Sequence, residues 1–498
     1  MATQLSLFPT IQPVKQLIRT NFSHDNIGPQ AARLALEERY RALLQETDQF
    51  SRKLVSYQGN KGELVHGWIR YKEGFSAQLV EILIREFGLE PGQTVLDPFA
   101  GSATTLLVAK SLGINAVGIE LLPVCHLAWQ AKSRFMDYDL AELQQVEALL
   151  LAGEGMGEGK RPFPHITITE GAFPPQTERD IMAYTDWFEA LPVSQQTKTL
   201  GQLLLTSILE EVSYTRKDGQ YLRWDSRSAK VMARNRQRIM QGKQPVKEVD
   251  LGALPTVKEA LLHALRIVRT DIQKLQAFTF RDSQQQLIAG NTLLTMPTMP
   301  ADQFDTVITS PPYCNRYDYT RTYALELAYL GVGDAIFALR QGQLSCTVEN
   351  RSKLDILREQ YQTIGQETRF KQILQTVQNN SAFKEVMQAL HNRQRRGELN
   401  NRGVVSMVEQ YFVELTFVFA ELLRTCRSGA CVAFVNDNVR YGGEIVPVDL
   451  LTTNLAEQVG FVPVKVYVLP QRKGNSSQQM GKFGREALRK SITIWRKP

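Results

Sequence analysis

Short apolar runs ending in polar turns alternate with amphipathic stretches along this chain, and the alternation breaks twice. Residues 30–52, rich in Ala, Leu, Glu and Arg, have the spacing of a surface helix. A helix over 76–87 leads through Glu90-Pro91-Gly92 into an apolar strand at 94–96. Residues 104–112 form the next helix, closed by Gly113, which suits the left-handed end position. Residues 116–119 form a second strand, and strand, helix, strand in this order predicts a βαβ unit and a parallel sheet. From about 139 to 278 the pattern is mainly helical. Strand-like runs return at 286–288 and 304–309, followed by a second helical, polar stretch over 334–401. The sheet pattern resumes at 432–435, 464–469 and 492–495, the last two expected to pair as a hairpin across a long loop.

The simplest architecture is one α/β core built from residues 61–138, 279–333 and 403–498. An arm and helix at 1–60 precede it, and mainly helical insertions occupy 139–278 and 334–402. A chain of 498 residues can bury a large core, and 43% hydrophobic with 22% charged residues is the balance of a soluble globular protein. The net charge of +7 and pI near 9.0 suit a polyanionic partner. Five cysteines without a Cys-x-x-Cys pair predict reduced thiols in a cytoplasmic protein and no metal site. Residues 1–12 lack the basic start and apolar core of a secretory leader. The most apolar helical run, 404–423, is interrupted by Glu409, Glu414 and Glu421, too charged to span a bilayer.

Two turns carry the chemistry. Thr94-Val95-Leu96 runs into Asp97-Pro98-Phe99-Ala100-Gly101-Ser102, where Gly101 permits close backbone approach and Asp97 can accept hydrogen bonds from a ligand amine or from turn amides. Ser102, Thr104 and Thr105 offer hydroxyls and amides at a helix start. Glu120 ends the next strand about twenty residues on, where a carboxylate takes both hydroxyls of a ribose. The second turn, Ser310-Pro311-Pro312-Tyr313, follows Val307-Ile308-Thr309. Ser310 and its carbonyl can accept the hydrogens of an exocyclic amine, the prolines stiffen the backbone, and Tyr313 offers a stacking face. No Gly-x-x-x-x-Gly-Lys loop is present, which argues against a nucleoside triphosphate enzyme.

Together these strings resemble the cofactor and catalytic motifs of the S-adenosylmethionine-dependent DNA amino-methyltransferases, with Ala103 where members usually have a second glycine. The resemblance implies a Rossmann-like class I methyltransferase core: an α/β fold with a mostly parallel sheet and a C-terminal β-hairpin. It further implies methylation of cytosine N4 or adenine N6 in duplex DNA by base flipping. Serine before Pro-Pro is commoner among cytosine-N4 enzymes, so cytosine is the favoured base, adenine the alternative, and an RNA base amine a third. Carbon-5 methylation needs a Pro-Cys pair that the chain lacks. By the same resemblance Lys72, Phe75 and Ser76, in Trp68-Ile69-Arg70-Tyr71-Lys72-Glu73-Gly74-Phe75-Ser76, hold the methionine end of the cofactor. Phe99 and Ala100 belong to the same site, and Asn291 stands near its adenine.

A nucleic-acid surface is expected from the basic, aromatic-bearing segment 214–247, with Arg216, Lys217, Arg223, Arg227, Lys230 and Arg234 as phosphate contacts. Arg316, Tyr317 and Arg321 follow the catalytic turn as a base- or backbone-contacting loop. His391-Asn392-Arg393-Gln394-Arg395-Arg396 and the loop with Arg472, Lys473 and Lys482 are further candidates. Gln4-Leu5-Ser6-Leu7-Phe8 resembles the short peptide with which bacterial proteins dock on the replication sliding clamp. A cognate restriction endonuclease is the other partner the resemblance implies.

Overall fold

The strands, in chain order, are β1 (Gln12–Pro13), β2 (Leu44–Glu46), β3 (Thr94–Asp97), β4 (Asn115–Glu120), β5 (Thr215–Asp218), β6 (Tyr221–Trp224), β7 (Gln285–Ala289), β8 (Phe304–Thr309), β9 (Cys426–Asp437), β10 (Val439–Tyr441), β11 (Glu444–Val446), β12 (Val462–Val468) and β13 (Lys490–Arg496). They come from a computed structural model that describes residues 12–13, 18–26, 28–47, 49–153, 157–159, 161–218, 221–246, 250–470, 483–484 and 486–498. The peptide Gln4 to Phe8 and the basic positions Arg472, Lys473 and Lys482 lie outside the described residues.

One mixed sheet runs in the order β1-β2-β12-β13-β9-β8-β3-β4-β7. β7, β4, β3, β8 and β9 are mutually parallel, as the βαβ spacing predicted. β13 runs antiparallel to both β12 and β9, so the C-terminal hairpin inserts its last strand into the sheet. Leaving β3, the chain first builds outward through β4 and β7, then returns to place β8 on the other side of β3. In a parallel sheet that reversal opens a crevice beyond the carboxyl ends of the two central strands.

The helix Ala77–Phe87 starts where Ser76 Oγ accepts from Leu79 N at 3.2 Å, and stops at Gly88 in the left-handed conformation. On the sheet's other face lies Val404–Thr425, almost wholly buried. Of its interrupting charges, Glu409 is exposed and the two buried ones are paired: Glu414 accepts from Lys353 Nζ at 3.0 Å and from Ser345, and Glu421 binds Arg424 and Arg369. No helix among the described residues is long and apolar enough to cross a membrane. All five cysteines are free, four of them buried.

Two expectations need correction. The helix expected over 30–52 covers only Ala31–Tyr40, and its continuation becomes β2, pairing parallel with β12. It is not a surface helix either, since Arg33 and Glu37 are buried, bound to Glu385 and Glu444 and to Arg489 respectively. Helical composition could not foresee an unfilled sheet edge more than 400 residues away in sequence. The insertion over 139–278 is helical as expected except for one antiparallel hairpin, β5–β6.

Candidate active site

The tips of β3 and β8 are joined directly. Thr309 Oγ1, at the end of β8, donates to Asp97 Oδ1 at 2.7 Å, and Thr105 Oγ1 donates to Asp97 Oδ2 at 2.8 Å. Phe99 N adds a third donor at 3.1 Å, so Asp97 serves the turn amide rather than projecting freely. Burial pushes its carboxyl up to about 6 against the pull of these donors.

The turn beyond Asp97 passes through Gly101 at φ +51°, where a Cβ would lie 2.8 Å from Tyr71 Cε1. Gly101 N donates to Glu120 Oε2 at 2.8 Å, and Leu121 N and Leu122 N donate to its Oε1. Burial raises the Glu120 carboxyl, and these three amides oppose the shift. Around the two turns is a cleft of about 790 Å³, counted out to its open mouth. Phe75, Phe99, Ala100, Ser102 and Thr104 line it together with Asn291, Ser310 and Pro312. Ser310 Oγ donates to Tyr313 Oη at 3.1 Å, and the Lys490 ammonium sits 4.9 Å from the centre of the Tyr313 ring.

Comparison with known proteins decides what this cleft belongs to. Residues 37–128 match the family model described as DNA methylase. The chain is 55% identical over 482 residues to the type II methyltransferase M.BsoBI of Geobacillus stearothermophilus, covering 96% of this chain and 94% of that protein. It is 38% identical to the type II methyltransferase M.AvaI of Nostoc sp., over 93% of each. The chain belongs to the S-adenosylmethionine-dependent DNA amino-methyltransferases.

The methyltransferase's cleft fits its cofactor on the chemistry of its own walls. Glu120 brings a half-buried carboxylate, Gly101 leaves space that a side chain would take, and the apolar rings of Phe75 and Phe99 line the same cleft. Gln343, only 7% exposed, lines the same cleft with an Oε1 that has no hydrogen-bond partner among the described residues. An orphaned acceptor in a buried wall suits an amine on a ring.

Several predicted cofactor residues stand behind the lining rather than in it. Lys72 turns its ammonium to the Lys217 carbonyl, Ser76 caps its helix, and Thr105 supports Asp97. Pro311 is buried, and Tyr313 touches the cleft through Ser310. Conversely, Tyr71, Glu73 and Tyr319 line the cleft without having been singled out. Tyr71 and Glu73 flank Lys72 in a turn, so their place beside it in the string 68–76 was the signal that would have found them. Nothing local marks Gln343, which the second insertion delivers.

Among the DNA candidates, Arg216, Arg223, Lys230 and Arg234 are exposed. Arg227 is exposed but holds Asp225 through two hydrogen bonds, both at 2.8 Å. Lys217 must be corrected: it is buried, ion-paired with Glu326, and its ammonium lies 4.4 Å from the Tyr323 ring centre. Arg316 donates to Asn400 and Arg321 pairs with Asp318 and Glu349, while Tyr317 packs edge-on against Tyr319. Arg393 in the second insertion is likewise buried among Asp25, Glu398 and Glu444.

Lys132 shows how the cofactor turn is held from behind. Its buried ammonium donates to the Ser102 carbonyl at 3.2 Å, and burial pushes its pKa from 10.5 down to about 8. Unfolding restores the higher value, so this group's contribution to stability is present above about pH 10 and is lost as pH falls through about 8. Lys132→Met should therefore remove this group's share of the pH dependence, so that melting temperature rises less, or falls more, from about pH 8 to 10 than in wild type. Melting curves across that range check it.

Proposed function

We propose that the enzyme methylates the exocyclic N4 of cytosine in duplex DNA, at a specific site and with the base swung out of the helix. The observation that carries this reading is Ser310 in the wall of the cofactor cleft, one residue past a strand tip bonded to the cofactor turn. S-adenosylmethionine supplies an electrophilic methyl group on sulfur. Ser310 and the adjoining carbonyl accept the hydrogens of the amine, so its lone pair localises toward the cleft. Pro311 and Pro312 hold those acceptors rigid. The Lys490 ammonium covers the Tyr313 ring at 4.9 Å, leaving the ring's other side for the base. Glu120 takes the cofactor's ribose hydroxyls, Asn291 and Gln343 stand at its adenine, and Phe75 packs against its methionine end. Catalysis then rests on alignment and fixed polar groups rather than a covalent nucleophile. A restriction endonuclease of matching specificity is the natural companion of such an enzyme.

The test is direct. Purified protein is incubated with DNA and labelled cofactor, and the digested nucleosides are identified by mass. The expected product is N4-methylcytosine. N6-methyladenine would reassign the base, and label in RNA alone would reject duplex DNA as substrate.

A further inference from the structure

The helix Ala229–Met240 carries Lys230, Arg234, Arg236 and Arg238 and no acidic residue, and only Asn235 on it is buried. Val231 and Arg238 are half-buried beside Asn235, so one narrow stripe faces the protein. At 100° per residue the opposite face presents Ala229, Ala233, Arg236, Gln237 and Met240, all exposed, with Met240 at 85%. An unsupported helix of this composition would be marginal. It is nevertheless anchored at its start and its middle: Ser228 Oγ donates to the Gly171 carbonyl at 3.3 Å, Lys230 Nζ to the Thr167 carbonyl at 3.2 Å, and Val246 N to Asn235 Oδ1 at 2.9 Å. The molecule therefore holds out a rigid, basic helix with a nearly bare outer face.

Its position links it to the chemistry. The helix follows β6 closely, and the short helix Tyr319–Thr322 packs on β6. Tyr319 lines the cofactor cleft. One strand and one short helix thus connect the basic helix to the cleft that a swung-out base would enter. The second insertion offers no comparable element, because Leu357, Phe370, Ile373 and Val386 bury its helices in the core around Val404–Thr425.

We infer that Ala229–Met240 is the target-reading helix, entering the major groove with Arg236 and Gln237 toward base edges and Lys230 and Arg234 toward the flanking phosphates. Small residues at 229 and 233 permit close approach. Arginine matches the O6 and N7 of guanine, and glutamine the N6 and N7 of adenine. The inference rests on duplex DNA being the substrate.

The experiment uses the full-length enzyme. Wild-type methylation of a mixed-sequence plasmid is mapped by sequencing. Binding is then measured to a short duplex carrying the mapped site and to a scrambled one. Arg236→Ala with Gln237→Ala should weaken binding to the site about tenfold or more while changing the scrambled duplex by less than about threefold. Lys230→Ala with Arg234→Ala should weaken both alike and lower the log–log salt slope by roughly 2. Calorimetric binding of S-adenosylhomocysteine, unchanged in both variants, reports an intact core. Wild-type site preference and rate in the Arg236→Ala, Gln237→Ala variant would overturn the inference, as would loss of a protein partner with DNA reading intact. Methylation of RNA alone by the wild type would instead remove its premise.

Discussion

Ser310→Ala should lower the single-turnover methylation rate by about 10²–10³-fold, the usual cost of removing one preorganised polar group from a reaction centre. Affinity for S-adenosylhomocysteine should stay within about twofold, because the cofactor contacts proposed above are other residues of the cleft, Phe75 and Glu120 among them. Two losses combine in the variant. The hydroxyl no longer accepts from the target amine, and Tyr313 loses the donor that meets its hydroxyl at 3.1 Å. Tyr313→Phe separates them, since it keeps the ring under Lys490 and Ser310 itself. Its deficit should accordingly be the smaller of the two. Rapid-quench rates together with calorimetry decide the matter: wild-type turnover by Ser310→Ala would remove the serine from the chemistry.

What could be read ahead of the structure follows from how much each feature depends on neighbours in sequence. β3, β4 and β8 sit in a parallel sheet covered on both faces, so each carries a short apolar run, and the polar residue after each run stands at the carboxyl end of a strand. That Asp97, Glu120 and Ser310 line one cleft was legible for that reason. Ala103 was legible as a departure from the family's glycine, but not its consequence: it occupies the left-handed region at φ +64°, a conformation that costs a residue with a Cβ about 1–2 kcal/mol. Gln343 left no trace, because its place in the cleft wall depends on where the fold puts a loop of the second insertion. Charged residues were the hardest to read. Composition marks Lys217 and Arg393 as basic; only the fold shows that both are buried against carboxylates. A basic run is therefore a mixture, and the exposed members have to be separated from the structural ones before any is assigned to DNA.

Lys217 makes that separation measurable. Lys217→Met should destabilise the protein by about 3–5 kcal/mol, the cost of stranding one charge of a buried pair. In a chain of this size the fall in melting temperature is on the order of several degrees. Glu326 bears the stranded charge: burial already raises its carboxyl, and the Lys217 ammonium is the chief force opposing that. Adding Glu326→Leu to Lys217→Met should recover most of the loss, because neither charge then remains to be desolvated. The salt dependence of DNA binding discriminates further. A lysine that neutralises a phosphate contributes about one to the log–log slope, whereas a buried lysine contributes nothing. The slope of the Lys217→Met, Glu326→Leu protein should match wild type, and that of the exposed Arg216→Ala should fall by about one. The Lys217 carbonyl also receives the Lys72 ammonium, and Lys72 N donates to Tyr323 Oη, whose hydroxyl binds Glu73 in the cleft wall. The pair therefore ties the β5–β6 hairpin to the cofactor cleft, and its loss should reach cofactor affinity before it reaches the electrostatics of DNA binding.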